Sequence, residues 1–193
     1  MKQILLMLSL ACCAVNVSAA GDKECIPGGW TIEKIAPELM EGLAVRFNNT
    51  RFFIPGGLRE VITSEGMTMF LFPERRVISV QMTSNAGIEG RSAANVYRQV
   101  YGLLPLDDSD DVEAIMNLRR VSCPKEEKIR YLSLPTGQEV VLSRRNVDKD
   151  EWYAALIFPQ QDGAVTLVNF RGFSERQVEK ILATSVEALK AQP

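Results

Sequence analysis

The chain has 193 residues, of which 46% are hydrophobic and 24% charged, and its net charge is −2. These values exclude a disordered chain and carry no nucleic-acid footprint, and they suffice for a core that buries roughly two thirds of the unfolded surface. Histidine is absent, which removes Ser-His-Asp and Cys-His catalysis and most zinc sites.

The chain opens with Lys2, an almost uncharged apolar run over residues 4–17, and small residues at Val17-Ser18-Ala19 or Ser18-Ala19-Ala20. Charge returns abruptly at Asp22-Lys23-Glu24. This three-part pattern predicts a cleaved secretory signal peptide over residues 1–20, followed by one domain over residues 21–193. The apolar run is short for a permanent membrane helix, so no transmembrane segment is expected after processing. Ser9-Leu10-Ala11-Cys12 also resembles a bacterial lipobox, in which Cys12 would be lipidated, although Ser9 stands where that pattern favours leucine.

Of four cysteines, Cys12 and Cys13 fall inside the leader. Cys25 and Cys123 remain, and two thiols in an oxidising compartment are expected to form a disulfide. Closing so long a loop contributes up to about 4–5 kcal/mol in the chain-entropy account. The alternative is a reactive thiol, for which the chain offers no activating histidine.

Pro27-Gly28-Gly29 marks a loop. Ile32, Ile35, Ala36, Leu39, Met40 and Leu43 then recur at helical spacing, and Pro37 places the expected helix start in its first turn. Residues before Pro37 would form an arm held by the disulfide. From Arg51 the pattern changes to short β-type runs: residues 51–54, 58–63, 67–72 and 76–83, divided by Pro55-Gly56-Gly57, Ser64-Glu65-Gly66 and Pro73. In the last run Ile78, Val80 and Met82 alternate with Val77, Ser79 and Gln81, as an antiparallel meander requires.

Two helices follow. Ala93, Val96, Tyr97, Val100, Tyr101 and Leu104 share a face, with Ser92 as cap and Gly102 and Pro105 as stops. The second spans residues 111–121 and stops at Pro124. Strands resume at residues 129–134 and 139–143 around Pro135-Thr136-Gly137, and at 152–158 and 164–170 around a longer hairpin loop. Ser174-Glu175-Arg176-Gln177 is a capping box with Phe173 and Val178 placed as a staple. Val178, Ile181, Leu182, Val186 and Leu189 form the apolar stripe of the last helix, which the preceding sheet should cover. The fold class expected is α+β: an antiparallel sheet of meander and hairpins, flanked by helices, with the C-terminal helix packed on it.

Motifs that carry chemistry are few. Ser122-Cys123-Pro124-Lys125 matches the Ser-x-x-Lys pattern of penicillin-binding enzymes, but their companion motifs are missing and the stretch falls at a helix end. It supports an envelope hydrolase using Ser122 and Lys125 only as the alternative to a non-catalytic protein. Asp107, Asp108, Asp110 and Asp111 suit a hard cation by charge, yet acidic residues also favour a helix start, and Asp110 with Glu113 has capping-box spacing. The pairs Arg75-Arg76 and Arg144-Arg145 sit at expected strand ends, either as solvated edges or as one anionic-partner patch. Asn48-Asn49-Thr50 fits a glycosylation sequon.

The run Phe53-Ile54-Pro55-Gly56-Gly57, the strands through Met69-Phe70-Leu71-Phe72 and Val77-Ile78-Ser79-Val80, and the closing Val165-Thr166-Leu167-Val168 strand with its helix resemble Mog1/PsbP-like domains. The resemblance spans most of the mature chain and rests on the order of elements. It implies an α/β/α sandwich used for protein binding or as an envelope accessory, with no catalytic residues to carry over. The resulting expectation is an exported periplasmic protein acting by protein–protein contact, of envelope-accessory or immunity and inhibitor type. A lipoprotein anchored at Cys12 is a further alternative. A protein partner is expected; a cofactor, a metal and nucleic acid are not.

Overall fold

Short connections and alternating side chains build most of the sheet from strands that are neighbours in the chain. The computed structural model describes residues 31–36, 40–47, 50–83, 88, 90–106, 111–122, 129–134, 138–146, 150–157 and 164–187. The first meander is β4 (Glu60–Ser64), β5 (Met67–Leu71) and β6 (Val77–Thr83). Glu65 and Gly66, both at positive φ, turn β4 into β5, and a 3₁₀ turn at Pro73–Arg75 leads into β6. A second meander runs β7 (Ile129–Ser133), β8 (Glu139–Asn146), β9 (Glu151–Ile157) and β10 (Val165–Arg171).

The two meanders join where β10 pairs antiparallel with β6. β1 (Ile32–Lys34) adds to β7 in parallel, unlike the other described pairs. One eight-stranded sheet results, in the order β1-β7-β8-β9-β10-β6-β5-β4. A separate ribbon pairs β2 (Gly42–Phe47) with β3 (Thr50–Pro55).

Alternation then sorts the core into layers. Leu132, Val140, Leu142, Trp152, Leu156, Val168 and Phe170 face one side of the sheet, where α3 (Glu175–Glu187) and the β2–β3 ribbon bury them with Val178, Ile181, Leu182, Phe52 and Ile54. Their alternates Tyr131, Val141, Ala155 and Val165 face α1 (Ala93–Val100). Beyond α1 lies α2 (Val112–Ser122), sealed to it by Val96, Val100 and Ile115. Helices therefore cover both faces of a mostly antiparallel sheet, with the C-terminal helix packed on it. The α+β expectation holds.

Helix ends follow their local chemistry. Ser92 Oγ accepts from Asn95 N (3.3 Å). Ser174 N donates to Gln177 Oε1 (2.9 Å), and Ser174 Oγ accepts from Gln177 N (3.4 Å), which is the reciprocal capping box. The α2 cap is a correction: Asp111 Oδ1 accepts from Ala114 N (2.9 Å), so the acidic run starts its helix one residue later than the Asp110–Glu113 spacing suggests.

The expected helix beginning at Pro37 is also corrected. The flanking segments are β1 and β2, with residues 37–39 outside the described ones. Ile32 and Leu43, which a helical stripe would bury, are 55% and 58% exposed. The deciding features are Val45 and Phe47, which favour an extended chain, and the pairing of β2 along the aromatic β3. Of the expected arm, Ile32–Lys34 is an edge strand on β7, and the residues before 31 lie outside the described ones. No helix among the described residues is long and apolar enough to cross a membrane.

Candidate functional site

Three surfaces concentrate chemistry. The first centres on Arg130, whose place in β7 points it to the α3 side, in line with Leu132. Its side chain is only 13% exposed. It pairs with Glu33 of β1 and with Glu175 (2.8 Å) and Glu179 of α3. Hydrogen bonds donated to Glu33 push the guanidinium still further above its usual range, against the effect of burial. Around it lies a cleft of about 550 Å³, lined by Ile35 and Ala183 as well as these charges, with Arg176 and Lys180 on its rim. Three carboxylates balanced by three cations make this a neutral clasp joining β1, β7 and α3. The sequence signal was a lone arginine inside the alternating run Ile129-Arg130-Tyr131-Leu132, at a position the period assigns to the core.

The second surface lies between α1 and β9. Tyr97 and Tyr101 stand one helical turn apart with ring centroids at 6.3 Å. Tyr153 hydrogen-bonds to Tyr97, and the Arg145 guanidinium lies 4.7 Å over the Tyr153 ring. Burial pushes the phenols of Tyr97, Tyr101 and Tyr153 above the usual tyrosine range. Nearby, Arg98 of α1 grips Glu139 of β8 with both nitrogens.

The third surface is the half of this same sheet face on β4, β5 and β6. Strand register aligns Ile62, Met69 and Ser79 in one row, Met67 and Gln81 in a second, and Leu71 and Val77 in a third. Met67, Met69, Leu71 and Val77 are half-buried, and they join none of the three buried clusters. At its margin all five residues of β4 are exposed.

The arginines singled out in the sequence part company. Arg144 and Arg145 are adjacent in β8, so the pleat sends them to opposite faces. Arg144 lies 5.3 Å over Trp152 on the α3 side and pairs with Asp150 at 3.1 Å. Arg76 lies 5.4 Å over Phe173, also on the α3 side, while Arg75 is exposed in the 3₁₀ turn. Arg76 and Arg144 thus share a face and a sheet end, and Arg145 belongs to the tyrosine cluster. Cys12, Cys25, Cys123 and Lys125 lie outside the described residues, and Ser122 closes α2. Among the described residues no group of three or more acidic or cysteine side chains is placed to hold a metal ion.

These observations define a class, an α+β sheet with helices on both faces and a half-buried apolar half-face. No protein-family model, curated protein or solved structure matches the chain.

Proposed function

We propose that this protein is exported to the bacterial periplasm and acts there without catalysis by binding another protein, as an envelope accessory or an immunity-type inhibitor. The observation that carries the reading is the half-buried row of Met67, Met69, Leu71 and Val77, outside the three core clusters, which runs on to the exposed Ile62. Unbranched thioether side chains adapt to a partner's contours, and a contiguous apolar surface on a water-facing sheet marks a contact site. The leader pattern of residues 1–20 supports export, and the Cys25–Cys123 disulfide belongs to the same proposal. The resemblance to Mog1/PsbP-like domains, which rests on the order of elements in the sequence, is part of the proposal too.

A photo-crosslinking amino acid at Met69, expressed with the intact leader, tests the binding site. One discrete adduct to a different periplasmic protein is expected, suppressed by excess wild-type protein but not by the Leu71→Asp variant. Adducts that Leu71→Asp suppresses equally well would remove the half-face as the contact. In the same preparation, mass measurement of the mature chain should show a start near Ala20 or Gly21 and a mass two hydrogens below that of the reduced form.

A further inference from the structure

The two edges of the sheet are not alike. The β1 edge is three residues long and carries Glu33 and Lys34, with Glu33 held by Arg130. The β4 edge carries Glu60-Val61-Ile62-Thr63-Ser64, without lysine or proline, and its Val61 and Ile62 are 49% and 37% exposed. Short charged edges resist pairing with another chain, whereas a flat apolar edge invites it.

The backbone of β4 sets the register of any such pairing. The two-residue turn Glu65-Gly66 makes Ser64 and Met67 the hydrogen-bonded closing pair. Alternation then commits Glu60, Ile62 and Ser64 to β5 and aims the amide groups of Val61 and Thr63 outward. Arg59 N also donates to the Leu71 carbonyl (2.8 Å), so Arg59 departs from this alternation and the ladder ends at Glu60.

We propose that β4 pairs antiparallel with β4 of a second copy about a two-fold axis through Ile62, extending the sheet across both molecules. In that register the outward groups of Val61 meet those of Thr63 from the other copy. Ile62 faces its own counterpart and Glu60 faces Ser64, while Arg59 and Glu65, which flank β4, come to the same end of the pairing on both sides of the axis. A parallel arrangement would set Glu60 against Glu60 and Glu65 against Glu65, so the charges select the antiparallel dimer. The pairing also places the two methionine half-faces side by side, doubling the surface assigned above to the partner. The dimer does not depend on that assignment.

Sedimentation velocity at about 100 μM protein, a concentration suited to a single strand–strand contact, tests the pairing. Wild type is expected to sediment as a dimer. Ile62→Lys sets like charges on the axis and should give a monomer with an unchanged circular dichroism spectrum. Arg59→Glu should also give a monomer, and Arg59→Glu combined with Glu65→Arg should restore the dimer. A monomeric wild type overturns the proposal, as does a folded double variant that stays monomeric. A monomer that still crosslinks its partner through Met69 overturns only the dimer, and a dimer that crosslinks nothing else overturns only the function proposed above.

Discussion

Arg98 of α1 reaches across to Glu139 of β8 with both forks of its guanidinium, Nε to Oε2 and Nη2 to Oε1, each at 3.0 Å. The side chains are 26% and 18% exposed, and Tyr131 adds a hydrogen bond to the same carboxylate. Such a two-pronged, partly dry pair is worth more than an exposed one. Glu139→Gln is expected to cost about 1–2 kcal/mol, because Arg98 then lacks its counter-charge in a half-buried site. Urea unfolding of Glu139→Gln, Arg98→Met and the double variant checks this. A coupling near zero would mean that α1 is held by its apolar face alone.

All four tyrosines of the chain, Tyr97, Tyr101, Tyr131 and Tyr153, have phenols raised above the ordinary range, chiefly by burial. In the unfolded chain each ionises near pH 10. The folded state binds these protons more tightly, so their contribution is intact below about pH 10 and is lost as pH rises through the folded values. Each tyrosine kept neutral removes up to about 1.4 kcal/mol per pH unit in that window. Absorbance at the tyrosinate band is therefore expected to rise only together with loss of circular dichroism. Tyr101→Phe should flatten the alkaline fall. Ionisation near pH 10 with the fold intact would contradict the packing around α1.

How far these features were legible in the sequence depended on their range. Ile78 and Val80 alternate with Ser79 and Gln81 as the period-two pattern requires, and the Ser174–Gln177 cap was readable because all its partners lie within four residues. The pairing of β6 with β10 was not readable. Nothing local in Val77–Thr83 specifies Val165–Arg171 over any other apolar strand. The same holds for Arg130, whose partners Glu33 and Glu179 are far away in the chain. Residues 32–43 misled for a different reason: apolar spacing at three and four matches a helix whether or not that face is buried, and here Ile32 and Leu43 are not. The arginine pairs were visible as charge, but only the pleat decides that Arg144 and Arg145 face opposite ways.

Arg130 is tied to Glu33, Glu175 and Glu179 together. Arg130→Gln is expected to cost about 2–3 kcal/mol at neutral pH, below the range for fully buried pairs because the carboxylates are 30–41% exposed. Thermal unfolding of wild type, Arg130→Gln and Arg130→Met at neutral pH measures the loss. An Arg130→Met variant as stable as wild type would assign the role of Arg130 to packing of its aliphatic stem.

Gly42 is fixed by space and not by backbone conformation. A Cβ built there would collide with the Ile54 carbonyl oxygen and lie 2.6 Å from Phe53 Cζ, both in the paired strand β3. Ile54 is fully buried beneath α3 with Phe52, so its carbonyl cannot retreat without moving the ribbon against the core. Gly42→Ala should therefore destabilise by about 1–3 kcal/mol, the usual cost of overpacking. Gly56 is the internal control, since its added Cβ would meet the Glu41 carbonyl group at ordinary contact distance, its oxygen at 3.5 Å and its carbon at 4.0 Å. Gly56→Ala should stay within about 0.5 kcal/mol of wild type. Urea midpoints for the two variants separate the cases, and equal midpoints would mean that the ribbon is free to shift away from α3.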